Sequence, residues 1–308
     1  MKKKNLKFKI NNFKVNNFFL IFLLILFLLT SCTSNNNSSG KNTNWRTGTD
    51  GLLMNFNKDN PPNEAISTQN LNVVVEFSNK GAYNINDLKF YLTGYDPNIL
   101  FGSSVQTSNP ISIEGKSMYV PQGSQTEFIT WKTKINSPRN TDSFRQDLTV
   151  TACYHYQTIA NPTLCIEPQT YSNANQKCKF IVQDLGSSQG APIVINSVNP
   201  KTTDDTVYLE IEFSNKGKGS VFSGNNNNCY NSVDIRDIDS VNFIKVTSSG
   251  TTFKCKPEGK IKLANGNGYA ICEAPIKTNS YFITPINIII DYSYRQTISK
   301  TITIINMK

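Results

Sequence analysis

The chain of 308 residues contains one histidine, His155, so any imidazole chemistry must run through a single ring. A hydrolytic triad needs that ring beside an activated Ser or Cys and a carboxylate. The one G-x-S-x-G match, Gly186 to Gly190 (GSSQG), lies in a Gly- and Ser-rich stretch with no helical pattern after it and so makes no nucleophile elbow, and the nearest thiol, Cys153, is expected to be oxidised. His155 therefore reads as an exposed strand residue between Tyr154 and Tyr156, and no catalytic residue is assigned. Asp234, Asp237 and Asp239 form the chain's nearest approach to a calcium cluster, but the D-x-D-x-D-G loop is missing and Arg236 stands among the carboxylates. A solvated loop or short helical turn is the expectation there. No Cys pair has the C-x₂₋₄-C spacing that zinc requires, and no Gly-rich phosphate loop follows a strand, so neither metal nor cofactor is expected. Trp131, in phase with Ile129 and Ile135, reads as a core residue of a sandwich rather than a ligand-stacking ring.

Cysteine is the other chemically active type. Besides Cys32 there are six: Cys153, Cys165, Cys178, Cys229, Cys255 and Cys272. An even number in an exported chain reads as three disulfides, with 15 pairings open. Cys153 is out of phase with Leu148, Val150 and Ala152, and a hairpin centred near Ile159 would bring Cys165 opposite it. Cys255 and Cys272 flank a Gly-containing hairpin. These two pairs leave Cys178 with Cys229; Cys165 with Cys178 is the rival.

The compartment comes from the N-terminus. Six Lys and no acidic residue precede Cys32, and Phe18 to Leu29 is an apolar run of 12 residues. That run suits a secretory h-region better than a bilayer-spanning helix, which needs about 20 apolar residues. Leu29-Thr30-Ser31-Cys32 resembles the lipobox of prokaryotic lipoproteins. The resemblance implies that Cys32 is acylated and becomes the first residue of the mature chain, which would hold it on a membrane. Thr33 to Asn44 has no branched aliphatic or aromatic residue and is expected to be a disordered stalk. Removing the leader lowers the formal charge from +9 to +3, leaving 25 basic against 22 acidic residues. A body so nearly neutral is a poor match for a phosphate backbone, which argues against nucleic acid as the main partner.

The elements that must position these residues form a repeat. Glu76 to Gly81 reads EFSNKG and so does Glu212 to Gly217, each after an alternating strand (Leu71, Val73, Val75, Phe77 and Val207, Leu209, Ile211, Phe213). The Asn-Lys-Gly suits a turn needing positive φ. Tyr154-His155-Tyr156 matches Tyr292-Ser293-Tyr294 at an offset of 138, close to the 136 of the first motif. Short strands bounded by Gly, Pro, Asn and Ser, with no helical periodicity after the leader, predict an all-β fold. The expected plan is a signal peptide over 1–31, a lipidated Cys32 and stalk over 32–45, an immunoglobulin-like sandwich over 46–182, a linker over 183–191 and a second sandwich over 192–308. Residues 285–294 and 297–305 are expected to be separate strands.

An alternating strand closing in Asn-x-Gly, early in a β-sandwich on an exported chain, resembles the cell-adhesion-related (CARDB-like) and similar Ig-like modules of prokaryotic surface proteins. The Gly48-Thr49-Asp50-Gly51-Leu52 entry and the Ser188 to Pro192 junction also look like those of small-genome archaeal surface proteins of unassigned function. The resemblance implies tandem Ig-like domains and carries over no catalytic residues. The expected function is that of a non-enzymatic, membrane-anchored surface lipoprotein mediating adhesion or protein or glycan binding. The alternative is an accessory subunit of an envelope complex such as a pilus or secretion apparatus. The candidate binding loop is the polar insertion around Asn225, Asn226, Asn227, Asn228 and Tyr230, because loops on a rigid scaffold carry recognition.

Overall fold

The computed structural model describes residues 45–137, 141–168, 177–178, 183–186, 189–203, 205–224, 229–276, 278 and 280–307. The signal segment, Cys32, the stalk and Asn225 to Asn228 lie outside the described residues. Those described are all-β, without a helix. Ten strands carry the architecture, five from each repeat. The first five are β1 (Leu52–Phe56), β2 (Asn70–Asn79), β3 (Ile85–Thr93), β4 (Glu127–Lys134) and β5 (Ser143–Ala160). The second five are β6 (Ile193–Thr202), β7 (Thr206–Asn215), β8 (Phe243–Ser248), β9 (Asn267–Pro275) and β10 (Asn287–Ile305).

Each repeat folds its strands the same way. β1, β2 and β4 make one antiparallel outer sheet, and β6, β7 and β9 make its counterpart, extended by Gln183–Asp184 and Lys254–Lys256 at its edges. Period-2 alternation puts Leu71, Val73, Val75 and Phe77 of β2, and Val207, Leu209, Ile211 and Phe213 of β7, into the core. Trp131 is buried with them. β3 pairs with β5 and β8 with β10 to form the facing layer.

The halves are not separate bodies. β5 and β10 pair with each other along their whole length, from Ser143↔Ile305 to Ala160↔Ile288, so one sheet of nine strands runs through both repeats. Residues Thr43–Lys308 accordingly form one compact unit. Cross-strand partners share a face, so Leu148, Val150, Ala152 and Tyr154 of β5 and Ile288, Ile290, Tyr292 and Tyr294 of β10 all point to one side. Both outer sheets pack on that side in a single core.

One expectation is corrected here. The separate strands over 285–294 and 297–305 are one strand, β10, whose register against β5 continues without a shift from Ile288 to Ile305. The expected linker over 183–191 contains packed residues: Gln189 and Ala191 are buried, Gly190 N donates to Gly48 O at 2.9 Å, and Ala82 N donates to Gly190 O at 2.6 Å.

The repeat offset of 138 maps His155 onto Ser293, and these residues are direct partners across β5 and β10. An approximate twofold axis therefore passes through that pair. Around it Tyr154, Tyr156, Tyr292 and Tyr294 form a buried square with ring centroids 5.8 to 6.2 Å apart along its edges. Their hydroxyls obey the same symmetry. Tyr154 accepts from Leu52 N as Tyr292 does from Ile193 N, and Tyr156 accepts from Tyr83 N as Tyr294 does from Gly219 N. Burial pushes the Tyr294 phenol up to about 12, and its three companions also rise.

The square also explains the EFSNKG motif. Asn79 Oδ1 accepts from Gly81 N and its Nδ2 donates to Tyr83 O, and Asn215 does the same with Gly217 N and Gly219 O. A Cβ on Gly81 would overlap the Tyr156 hydroxyl, and one on Gly217 the Tyr294 hydroxyl. The EFSNKG and Tyr-x-Tyr motifs are thus two halves of one corner. The expectation of positive φ is corrected: neither glycine adopts it, and close approach of the tyrosine is what excludes a side chain.

Candidate functional site

The opposite face of the central sheet presents three cross-strand pairs around the twofold axis: Cys153↔Arg295, His155↔Ser293 and Gln157↔Asp291. The insertion of the second repeat, between the Asn215 corner and β8, crosses this face. Four contacts hold it there. Ser220–Phe222 adds a short strand to β10. Cys229 forms a disulfide with Cys153, and its carbonyl accepts from Arg295 Nη1 at 3.0 Å. Gly224 O accepts from Ser293 Oγ at 2.8 Å. Asn242 donates through Nδ2 to Asp291 Oδ1 at 2.8 Å, while its Oδ1 accepts from Gly224 N at 2.6 Å. Tyr91, Cys153, Phe222 and Cys229 bury a second, small apolar cluster beneath it.

Among the sequence-selected residues, Asn225 to Asn228 lie outside the described residues, but their flanks Gly224 and Cys229 are both fixed to the sheet. The Tyr230 ring stacks on Tyr91 with centroids 4.4 Å apart. Asp234 pairs with Arg236 at 2.6 Å and Asp237 pairs with Lys260. The Arg236 guanidinium holds the Asp234 carboxyl well below the usual carboxylate range. Each of those two carboxylates thus faces its own cation, and among the described residues no group of three metal-ligating side chains converges. The turn they build leaves Ile235 80% exposed.

His155 differs from its expected exposed state. Its side chain is 35% exposed and its Nε2 lies 2.7 Å from Asp291 Oδ2, itself 8% exposed. Asp291 also accepts from Gln157 Nε2 at 2.8 Å, and Asp87 Oδ1 accepts from the His155 backbone N–H at 3.1 Å. The hydrogen bond to Asp291 raises the His155 pKa against the opposing effect of burial. Burial pushes the Asp291 carboxyl up, and the bonds from His155, Asn242 and Gln157 outweigh it and hold it down. The pair resembles two members of a triad, but the hydroxyl across from it, Ser293, is committed to Gly224 O and the nearby Cys153 is a disulfide. What the arrangement does chemically is fix a charged latch between β5, β10 and the insertion.

The disulfides correct two expected pairings and keep one. Cys255 and Cys272 are direct cross-strand partners and are bonded. Cys153 pairs with Cys229 instead of Cys165, because β5 runs on to Ala160 and Thr163–Ile166 then pairs with Phe282–Pro285 rather than folding back. Cys165 pairs with Cys178, the rival pairing. Cys153 does face away from the main core, as its phase required, but the insertion buries it completely.

Comparison with known proteins adds little. No family model and no curated protein matches the chain. Among solved structures it has a likeness to a red sea bream transglutaminase, with a TM-score of 0.21 and 9% identity, covering 85% of this chain and 32% of that one. The chain thus spans about a third of that structure, and a likeness this distant carries no argument about function.

Proposed function

We propose that the protein is a non-enzymatic surface lipoprotein, held on a membrane through Cys32, whose fused sandwiches present the Gly217–Asn242 insertion for binding to a protein or glycan of the cell envelope. The observation that carries this reading is the fastening of the insertion at Phe222, Gly224, Cys229 and Asn242 to strands from both repeats. Segments so pinned lose little entropy on binding, which is how a rigid scaffold turns a polar surface loop into a recognition surface. Three disulfides among the described residues are consistent with an extracytoplasmic location. The lipobox at Leu29 to Cys32 supports the anchor.

The test is a photo-reactive residue at Ile235 in the full-length protein on intact cells, with a second at Tyr281 as reference. A discrete adduct from position 235 and none from 281 supports the reading. A single envelope protein captured in fixed proportion would make the chain an accessory subunit of that complex. Equal or absent capture at the two positions contradicts it.

A further inference from the structure

Three consecutive large side chains stand out of the first repeat with no partner: Met118 is 65% exposed, Tyr119 86% and Val120 46%. They form the tip of a turn that is itself well held. Val120 N donates to Ser117 Oγ at 3.0 Å, Gly123 N to Val120 O at 3.2 Å and Ser124 N to Asn79 O at 3.1 Å. Lys80 Nζ reaches the carbonyls of Gln122 and Ser124, and Lys116 N donates to Gly81 O at 2.7 Å. A rigid tip that exposes a methionine, a tyrosine and a valine pays no ordering cost to insert into an apolar phase, and tyrosine favours the membrane interface.

The position of the tip says which phase. Lys116 Nζ donates to Thr47 O at 2.9 Å, so the turn adjoins the point where the chain enters the fold. Only twelve residues lie between Cys32 and Trp45, a reach of at most about 45 Å. A chain acylated at Cys32 is therefore tethered to its bilayer by this end of the molecule. The far end of the second repeat is elsewhere: Lys216 N donates to Pro192 O beside Gly51, whereas Val207 lies with Phe282 and Thr284 at the other end of β7, about 30 Å away. The turn that leads into β9 of the second repeat, Ala264 to Asn267, has the polar tip Asn265-Gly266, unlike the Met118–Val120 turn that precedes β4.

We infer that the Met118–Val120 turn docks into the interfacial region of the bilayer that carries the anchor, giving the molecule one fixed face toward the membrane. This rests on the lipid-anchor reading above. Asp50 lies near Lys116 and offsets part of the charge of Lys116 and Lys80, and the side chains at the tip are apolar, so apolar burial rather than lipid charge governs the contact.

The experiment uses the full chain, exported by a lipoprotein-processing cell, purified with its N-terminus intact and reconstituted in phosphatidylcholine vesicles containing a shallow nitroxide lipid. Tyr119→Trp is compared with Ile283→Trp, a site 67% exposed at the far end, over the common background of Trp45 and Trp131. The expected result is quenching of Tyr119→Trp at least about twofold stronger than of Ile283→Trp, unchanged by added anionic lipid and abolished by Met118→Asp with Val120→Asp. Equal quenching of the two sites in vesicle-retained, acylated protein overturns the docking and leaves the anchor standing. Loss of the parent protein from the vesicles, with no acyl mass at its N-terminus, overturns the anchor and the docking with it.

Discussion

Replacing both Cys153 and Cys229 by alanine tests the fastening of the insertion and the pairing of the disulfides together. The bond closes 76 residues, against 13 for Cys165–Cys178 and 17 for Cys255–Cys272. In the chain-entropy model these loops are worth about 4.5, 3 and 3 kcal/mol respectively. The short Cys165–Cys178 loop lies inside the long one and shortens it by about a dozen residues, which changes the logarithm little. Alanine is the right replacement because both sulfurs are buried in the Tyr91 and Phe222 cluster, where a serine hydroxyl would add its own desolvation cost. The assay is urea unfolding of the parent and of each double variant under non-reducing conditions. The expected loss is about 4 to 5 kcal/mol for Cys153→Ala/Cys229→Ala and about 3 kcal/mol for Cys165→Ala/Cys178→Ala. A Cys153→Ala/Cys229→Ala loss equal to or below that of the short loop would refute the reasoning.

The fused sheet predicts a single calorimetric unfolding transition whose van't Hoff and calorimetric enthalpies agree; two resolved transitions would restore independent domains. Gly81→Ala places a methyl against the Tyr156 hydroxyl and the carbonyls of Asp50 and Gly190, and should cost about 1 to 3 kcal/mol. Combined with Tyr156→Phe the cost should fall short of the sum by about 1 kcal/mol, and strict additivity would contradict the shared corner. His155 has its pKa raised above its unfolded value of about 6.5, so its contribution is full below that pH and is lost as pH rises through the folded value. The stability gap between the parent and His155→Gln should therefore be larger at pH 5.5 than at pH 8.5 in urea melts, and the reverse order would rule out the latch. Asp291→Ala removes the acceptor for His155, Gln157 and Asn242 and should cost about 3 kcal/mol, with Asp291→Asn costing less.

Local pattern made the all-β class, the repeat and the core phases legible, because alternation reports which face a strand buries. It does not report which strand lies alongside. The periodicity of β5 and β10 is equally satisfied by two closed sandwiches or by the pairing of these strands with each other, and only their 18-residue register decides. The same limit hid the His155–Asp291 pair, whose members are 136 residues apart with no local signal linking them. Cys153 shows the limit from another side: phase placed it away from the core, and a distant insertion then covered it. The repeated glycines were legible as necessary, but their cause was legible only in retrospect, since Tyr156 and Tyr294 lie at nearly matching offsets from Gly81 and Gly217. A nearly equal spacing between two repeated motifs, 75 and 77 residues from glycine to tyrosine, is the signal that would have joined them.

The central claim is that the protein is an exported, lipid-anchored chain whose insertion is bonded across its two repeats. It is tested most directly by non-reducing peptide mass spectrometry of the protein taken from the cells that make it. The account predicts an N-terminal peptide beginning at an acylated Cys32 together with a linked peptide pair joining Cys153 to Cys229. An unprocessed Met1 terminus with both cysteines recovered as free thiols would contradict it.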